Sequence, residues 1–296
     1  MNHQPHKRKL IFGITDFIAL AIIAGLIYGF FHQMGASLNY KWDWSTIPNY
    51  LIRTDTSGNM RPNLLLLGFV TTLKLSFWST LLAFIIGTVF GLMRAMGTAV
   101  QNFIGWIYVE TIRNIPSLVL VFIFYFFVSS QFLDILGIDN LLRNSPESIQ
   151  KIISFLFTGN DHINAFISAV MTLALYEGAY VTEIIRAGLA NIPKGQWDAG
   201  AALGMTEFQT FRTIVLPQAL RNVLSPLAGQ FISTIKDSAI MSVISIQELT
   251  FQGMEIMATT LLTFEVWITI TVLYFILTFS LSRLTAMIEK RLAERY

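Results

Sequence analysis

The chain is 296 residues long, 54% hydrophobic and only 13% charged, with a mean hydropathy of +0.59 and a formal charge of +2. A soluble domain carries about 25% charged residues, so this composition belongs in a bilayer, and six spans of about 20 residues would take up most of the length. The small net charge gives no argument for nucleic acid, the absence of cysteine excludes disulfides and thiolate metal sites, and the four scattered histidines show no metal-ligand spacing.

Residues 1–10 form a basic tail with Lys7, Arg8 and Lys9. An apolar run follows over 11–32 and reads as a transmembrane helix. A signal peptide is the competing reading. Its apolar core would be about 7–15 residues, shorter than this run, although Gly35-Ala36-Ser37 could imitate a cleavage site. Gly25 and Gly29 make a GxxxG pair that could pack on another helix. Residues 33–63 carry Tyr40, Trp42, Trp44 and Tyr50 among polar residues, which suits the headgroup level. A short interfacial helix over 45–52 and a loop through Ser57-Gly58-Asn59 are expected there.

The main apolar region is 64–288, and it predicts five more spans. The second span, over 64–93, contains Lys74 and a second GxxxG, Gly87 with Gly91. The third, over 103–128, contains Glu110, Arg113 and Pro116. Glu110 and Arg113 are three apart and can neutralise each other on one helix face. Residues 133–161 form a loop that is weakly amphipathic over 149–157. The fourth span covers 163–185, the fifth 223–246 with Lys236 and Asp237 inside it, and the last 261–287. A charged tail closes the chain at 289–296. The fold class is therefore all-α and integral to a membrane, with about six spans.

Between the fourth and fifth spans lies the longest polar-to-amphipathic interruption of the second half, over 188–221. Pro193 suits the first turn of a helix, where its missing N–H costs nothing. A short helix can run through Trp197, Ala201 and Ala202 and end at Gly204, a residue that takes the left-handed conformation without strain. Thr206 with Gln209 makes a capping box for a second helix, which must stop or kink near Leu216 because Pro217 follows.

Lysine and arginine orient the chain. With six spans, twelve basic residues fall on the side holding both termini and the 188–221 loop. Five fall on the other side: Lys41, Arg53, Arg61, Arg143 and Lys151. The positive-inside rule places the twelve in the cytoplasm. A charge near the bilayer centre costs at least about 2.5 kcal/mol, so Lys74, Glu177 and Lys236 should pair or line a water-filled path. Lys74 and Glu177 lie at comparable distances from the starts of their spans and could pair.

The 188–221 loop resembles the cytoplasmic loop of the permease subunits of binding-protein-dependent ABC importers. That loop has the form EAA, three residues, Gly, nine residues, then Ile-x-Leu-Pro. Asp198-Ala199-Gly200, Gly204, Ile214, Leu216 and Pro217 fill the same spacing. Asp198 replaces the usual Glu and Gly200 the second Ala. The stretches TTLKLSFWSTLLAFIIGTVFGLMR, YVETIRNIPSLVLVFIFYF, LYEGAYVTEIIRAGLANIPKGQ and STIKDSAIMSVIS look like the polar amino-acid branch of that family, the histidine, glutamine and glutamate type.

The resemblance implies a five-helix type-1 importer core with one extra N-terminal helix, in the bacterial cytoplasmic membrane. It implies a second permease subunit, identical or related, a cytoplasmic ATPase dimer and a periplasmic solute-binding protein, with a polar amino acid as solute. It also implies that Pro193, Asp198, Ala199, Gly200, Gly204, Ile214, Leu216 and Pro217 form the coupling element that docks on the ATPase. Lys74, Glu177 and Lys236 are candidates for the solute path. No phosphate-binding G-x-x-x-x-G-K-[ST] loop occurs, so ATP hydrolysis is expected in a separate subunit, and neither a cofactor nor a metal is expected. The alternative function is a secondary transporter, which would work without an ATPase and depend on an ion gradient. A membrane scaffold without solute flux is a third reading.

Overall fold

A computed structural model describes residues 13–38, 40–129, 145–158 and 163–293; the terminal tails and residues 133–144 and 159–161 of the expected loop lie outside these. The chain divides into two units, Met1–Trp44 and Ser45–Tyr296. The first holds α1 (Ile14–Leu38), which takes in Gly35-Ala36-Ser37 and so runs past the expected end at residue 32. Its 25 residues reach about 37 Å at 1.5 Å each, enough for a hydrocarbon core of about 30 Å. A side chain added at Gly25 or Gly29 would meet open space.

The second unit includes α2 (Ile47–Leu51), a short helix within the expected 45–52. The loop after it is a hairpin of β1 (Ile52–Thr54) and β2 (Met60–Pro62), antiparallel, with Arg53 opposite Arg61. The helices that follow are α3 (Leu64–Met96), α4 (Ala99–Asn114), α5 (Ser117–Ile123, continued by a π-helical turn Phe124–Ser129), α6 (Glu147–Leu156) and α7 (Ile163–Ala190). Then come α8 (Lys194–Ala202), α9 (Glu207–Thr210), a π-helical turn over Phe211–Val215, and α10 (Leu216–Asp237). A 3₁₀ stretch (Ser238–Ile244), α11 (Leu249–Thr260) and α12 (Thr263–Ala293) complete the unit.

Among the described residues, α3, α7 and α12 are each long and apolar enough to cross a membrane. The expected third span is not one straight helix. Its two halves, α4 and the helix from Ser117 to Phe127, meet at a bend of 115°. The cause is Pro116, which holds Ile115 in an extended conformation (φ −101°, ψ 139°). If this pair is one span, it is the fourth. The expected fifth span corresponds to α10, whose Gln218, Asn222, Gln230, Lys236 and Asp237 give it far less apolar character than α3. Helix α11 was not expected from the sequence.

The centre of the unit is the seam between α3 and α7. Small residues make it possible. A Cβ at Gly87 would overlap Val181, and one at Gly91 would overlap Ile185. The second GxxxG is thus a packing surface, and it fixes the register: each contact joins residues with the same offset. Above this point Leu75 packs with Phe166, Ala169 and Leu173, together with Val121 and Met241. Below it, Val181, Ile185 and Leu189 pack with Ile192, Val215 and Ala219, which ties the C-terminal end of α7 to the 188–221 loop. A third cluster joins Ile47 and Leu65 to Leu249, Ile256, Val266 and Ile270, so α2, α11 and α12 close around the first turns of α3.

Candidate functional site

The 188–221 loop folds as its local signals dictate. Pro193 is the N-cap of α8, with Lys194 as the first helical residue. Gly204 is left-handed at φ +74°. Its N–H donates to the Ala201 carbonyl at 3.0 Å, and the Met205 N–H reaches back to Gly200 at 3.1 Å. These two bonds close the helix end in the Schellman pattern, satisfying carbonyls that would otherwise be orphaned. The Thr206–Gln209 capping box is formed in both directions, and the Gln209 side chain accepts from the Thr206 N–H at 2.8 Å.

Gly200 has a role the sequence did not disclose. It is buried, and a Cβ there would overlap the Thr210 side chain. The glycine lets α8 and α9 touch. Of the two expected outcomes near Leu216, a stop or a kink, the stop does not occur, and the backbone stays in the helical region. Residues Thr210, Phe211, Val215 and Leu216 all keep right-handed helical angles. A π-helical turn absorbs the disturbance instead, with the Leu216 N–H donating to Phe211 five residues back. Pro217 then sits in the first turn of α10, where it costs little.

The loop therefore has an anchored side and an open side. Ile192, Trp197, Phe211 and Val215 pack against the C-terminal end of α7. Asp198, Ala199, Ala201, Ala202 and Gly204 are exposed, while Ile214 and Leu216 are half-buried. Leu203 is 77% exposed and Phe208 69%, and both line an open groove with Gly204, Met205 and Arg212. Two large apolar side chains beside small residues are what a protein partner would cover.

The charged groups of the membrane core separate into distinct places. Glu177 is fully buried on α7 and accepts from the Gln230 amide of α10. Asp237, about two turns beyond Gln230 at the end of α10, is its acidic neighbour. Lys74 does not join them. The α3–α7 register sets Glu177 level with Ala83, nine residues from Lys74 and so about 13 Å further along. The Lys74 ammonium instead donates to the Ser154 carbonyl of α6 at 3.2 Å and lies 5.9 Å from the centre of the Phe155 ring. Lys236 is on an exposed face of α10.

Toward the C-terminal ends of α3 and α7, Arg94 donates to Glu183 at 2.7 Å and Arg186 pairs with the same carboxylate. Glu110 and Arg113 do not neutralise each other. Glu110 accepts from Asn114 at 2.9 Å, and Arg113 lies 5.6 Å over the Tyr180 ring. Arg113, Tyr180, Glu183, Asn191, Asn222 and Gln230 line one groove between α4, α7 and α10.

Gln230 and Glu248 were not singled out in the sequence. Glu248 is fully buried. It caps α11 through the Phe251 N–H at 2.8 Å and accepts from Tyr274 at 2.8 Å and Thr72 at 3.3 Å, joining α3, α11 and α12. Glutamate is an unusual N-cap, which is why Gln247-Glu248 carries no start signal.

The glutamine transport system permease protein GlnP of Escherichia coli K12 is 33% identical over 223 residues, covering 74% of this chain and 90% of GlnP. The L-cystine transport system permease protein TcyB of Bacillus subtilis is 34% identical over 223 residues, covering 73% of this chain and 82% of TcyB. Among solved structures, an amino acid ABC transporter crystallised with histidines superposes with a TM-score of 0.65 at 30% identity, covering 85% of this chain and all of that one. The family model for the inner membrane component of binding-protein-dependent transport systems matches residues 83–294. By that match, and by its likeness to permeases along most of their length, the chain belongs to the binding-protein-dependent transport system inner membrane component family.

Proposed function

We propose that this chain is the permease subunit through which an ATP-driven importer moves a polar amino acid across the bacterial cytoplasmic membrane. The relatives named for glutamine and cystine support the solute class. The observation that carries the coupling role is the form of α8. It is held from behind by Ile192 and Trp197, ended by a left-handed glycine, and open along Asp198, Ala199, Ala201, Ala202 and Leu203. In this reading Pro193, Asp198, Ala199, Gly200 and Gly204 form the element that seats in an ATPase groove. Ile214, Leu216 and Pro217 carry its motion into α10.

The assembly has two permease subunits, identical or related, two ATPase subunits on the side of α8 and a solute-binding protein on the other. ATP is hydrolysed in the separate subunits. The twelve-to-five basic asymmetry supports an orientation with both termini and α8 in the cytoplasm. For the solute path, Glu177 with Gln230 is the best-supported position, because a buried carboxylate in a span calls for a partner. Lys236 joins it if its exposed face of α10 meets the second permease, and Lys74 has a different engagement. Membership of the binding-protein-dependent family argues against the ion-coupled secondary transporter.

Reconstitution tests this. The chain, its cognate ATPase and its binding protein in proteoliposomes should take up a polar amino acid only with ATP on the α8 side. Uptake without the ATPase, driven by an ion gradient, would sink the proposal. A reporter fused after Lys194 that signals the periplasm would end it equally.

A further inference from the structure

We propose that α6 is a lipid-surface helix, pinned to the core by Lys74, and that its partner is the headgroup–acyl boundary of the leaflet opposite α8. Most of its residues sort around the helix, with Ser148 the one polar residue inside the apolar arc. Ile149, Ile152, Phe155 and Leu156 are exposed on one arc, while Glu147, Gln150, Lys151 and Ser154 occupy the other. Nothing in α6 is buried, so the core does not account for that apolar arc. A short helix of this pattern is stable where one side meets hydrocarbon and the other meets water.

Where α6 is held decides which partner covers it. Its final carbonyls point at α3. Lys74 donates to Ser154 at 3.2 Å and the Trp78 indole donates to Leu156 at 3.1 Å. Phe157, just past the helix, stacks on Trp78 at 4.8 Å and meets Phe166 edge-on at 6.3 Å. A lysine is the right cap for these carbonyls, since the C-terminal end of a helix carries partial negative charge.

Lys74 and Trp78 stand on the outward side of α3. At helical spacing they share a face with Leu67, Val70, Phe77, Leu81 and Ile85, all exposed, and lie opposite the buried Thr72, Ser76, Ser79 and Ala83. That stripe belongs to a span; Trp78 at its edge also packs against the core cluster around Phe166, while the other apolar residues named are exposed. Depth agrees. Lys74 is six residues from the middle of α3, about 9 Å, and a hydrocarbon core of about 30 Å ends about 15 Å from its midplane. The lysine stem can span the difference, so its ammonium meets α6 at the boundary.

Because the chain has no cysteine, single-cysteine reporters in the full chain carry no background. Ile152→Cys, Phe155→Cys and Lys151→Cys would each be labelled with a fluorophore in phosphatidylcholine–phosphatidylglycerol vesicles. Quenching by lipids brominated near the headgroup is compared with quenching by aqueous iodide. The labels at 152 and 155 should be quenched several-fold more by the lipid and the label at 151 more by iodide. In Lys74→Met or Trp78→Phe the 155 label should shift toward iodide, and Lys74→Arg should restore the lipid ratio. Labels at 152 and 155 reached by neither quencher would mean that protein, such as a second copy of the chain, covers the arc. Labels reached by iodide alone would mean a solvated helix. Either result overturns the lipid assignment, and it does so even if the Lys74 variants fail to insert. Unchanged ratios in inserted Lys74→Met and Trp78→Phe overturn the pin.

Discussion

Arg94, near the end of α3, donates to Glu183 of α7 at 2.7 Å, and Glu183 also receives Arg186 from its own helix. One carboxylate therefore holds two guanidinium groups toward the C-terminal end of the central seam. The Arg94 and Glu183 side chains are only 13% and 28% exposed, so solvent screens this pair less than a surface ion pair. Glu183→Gln leaves two cations facing each other without their anion, whereas Arg94→Gln leaves Glu183 with Arg186. The first should lower the melting temperature in detergent more than the second. A double-mutant cycle should give a coupling of roughly 0.5–3 kcal/mol. Additive effects of Arg94→Gln and Glu183→Gln would show that the contact adds nothing to stability.

Gly200 and Thr210 form a close contact inside the 188–221 loop, between α8 and α9. Gly200→Ala should destabilise by roughly 1–3 kcal/mol, because its Cβ would overlap the buried Thr210 side chain. Adding Thr210→Ala should recover most of the loss, since it removes the atoms that clash. Thermal denaturation of the two single variants and the double variant reads this directly. A stable Gly200→Ala would show that α8 and α9 can slide apart without cost.

What could be read from the sequence follows the range of the forces involved. The caps of α8 and α9 were legible because each depends on residues within one or two turns: Pro193, Gly204, Thr206 and Gln209. The fate of the chain at Pro217 was not, because a π-helical turn and an interrupted helix satisfy the same missing N–H. The bend at Pro116 needed only the local rule, but apolar residues on both sides hid it within one long run. A pairing of Lys74 with Glu177 was expected from their distances along separate spans. Register between spans is tertiary, and here Gly87 and Gly91 set it by close contact with Val181 and Ile185. Gln230 and Glu248 were silent for the same reason, as their partners come from other helices.

That register makes a prediction about the two charges. Glu177→Gln should not rescue any defect of Lys74→Met, because the groups lie about 13 Å apart along the seam. Lys74→Arg should rescue it, since arginine can donate to the same Ser154 carbonyl. Assembly can be followed by size-exclusion profiles in detergent, and function by uptake in proteoliposomes. Restoration by Glu177→Gln would mean that the two residues meet in another state of the cycle.

The seam itself can be probed at its glycines. Gly87→Leu and Gly91→Leu should each prevent stable folding, because α3 cannot approach α7 with either side chain in place. Gly229→Leu serves as the control, since a Cβ at that position meets nothing within 4 Å. Expression and melting temperature of all three variants decide the matter. Gly87→Leu and Gly91→Leu that fold as well as Gly229→Leu would place the helix–helix contact elsewhere.

The left-handed cap at Gly204 separates conformation from space. Its φ is +74°, and an added Cβ would meet nothing within 4 Å in the chain itself. Any effect of a small substitution therefore comes from backbone strain or from a partner. Strain alone ranks the variants. Asparagine tolerates this region, alanine costs about 1–2 kcal/mol, and a β-branched valine costs more. The strain falls on a surface turn outside every span, so Gly204→Val should still insert and α3, α7 and α12 should still pack. The Schellman bonds from Gly204 to Ala201 and from Met205 to Gly200 should break, which frees the end of α8 that carries Leu203. If α8 is the coupling element, co-purification of the ATPase should fall in the order Gly204, Asn, Ala, Val, and ATP-dependent uptake should fall with it. Asp198→Ala should be milder, because an exposed rim charge tunes association more than it holds it. Gly204→Val with unaltered ATPase binding and unaltered uptake would remove α8 from the coupling path, whatever the family.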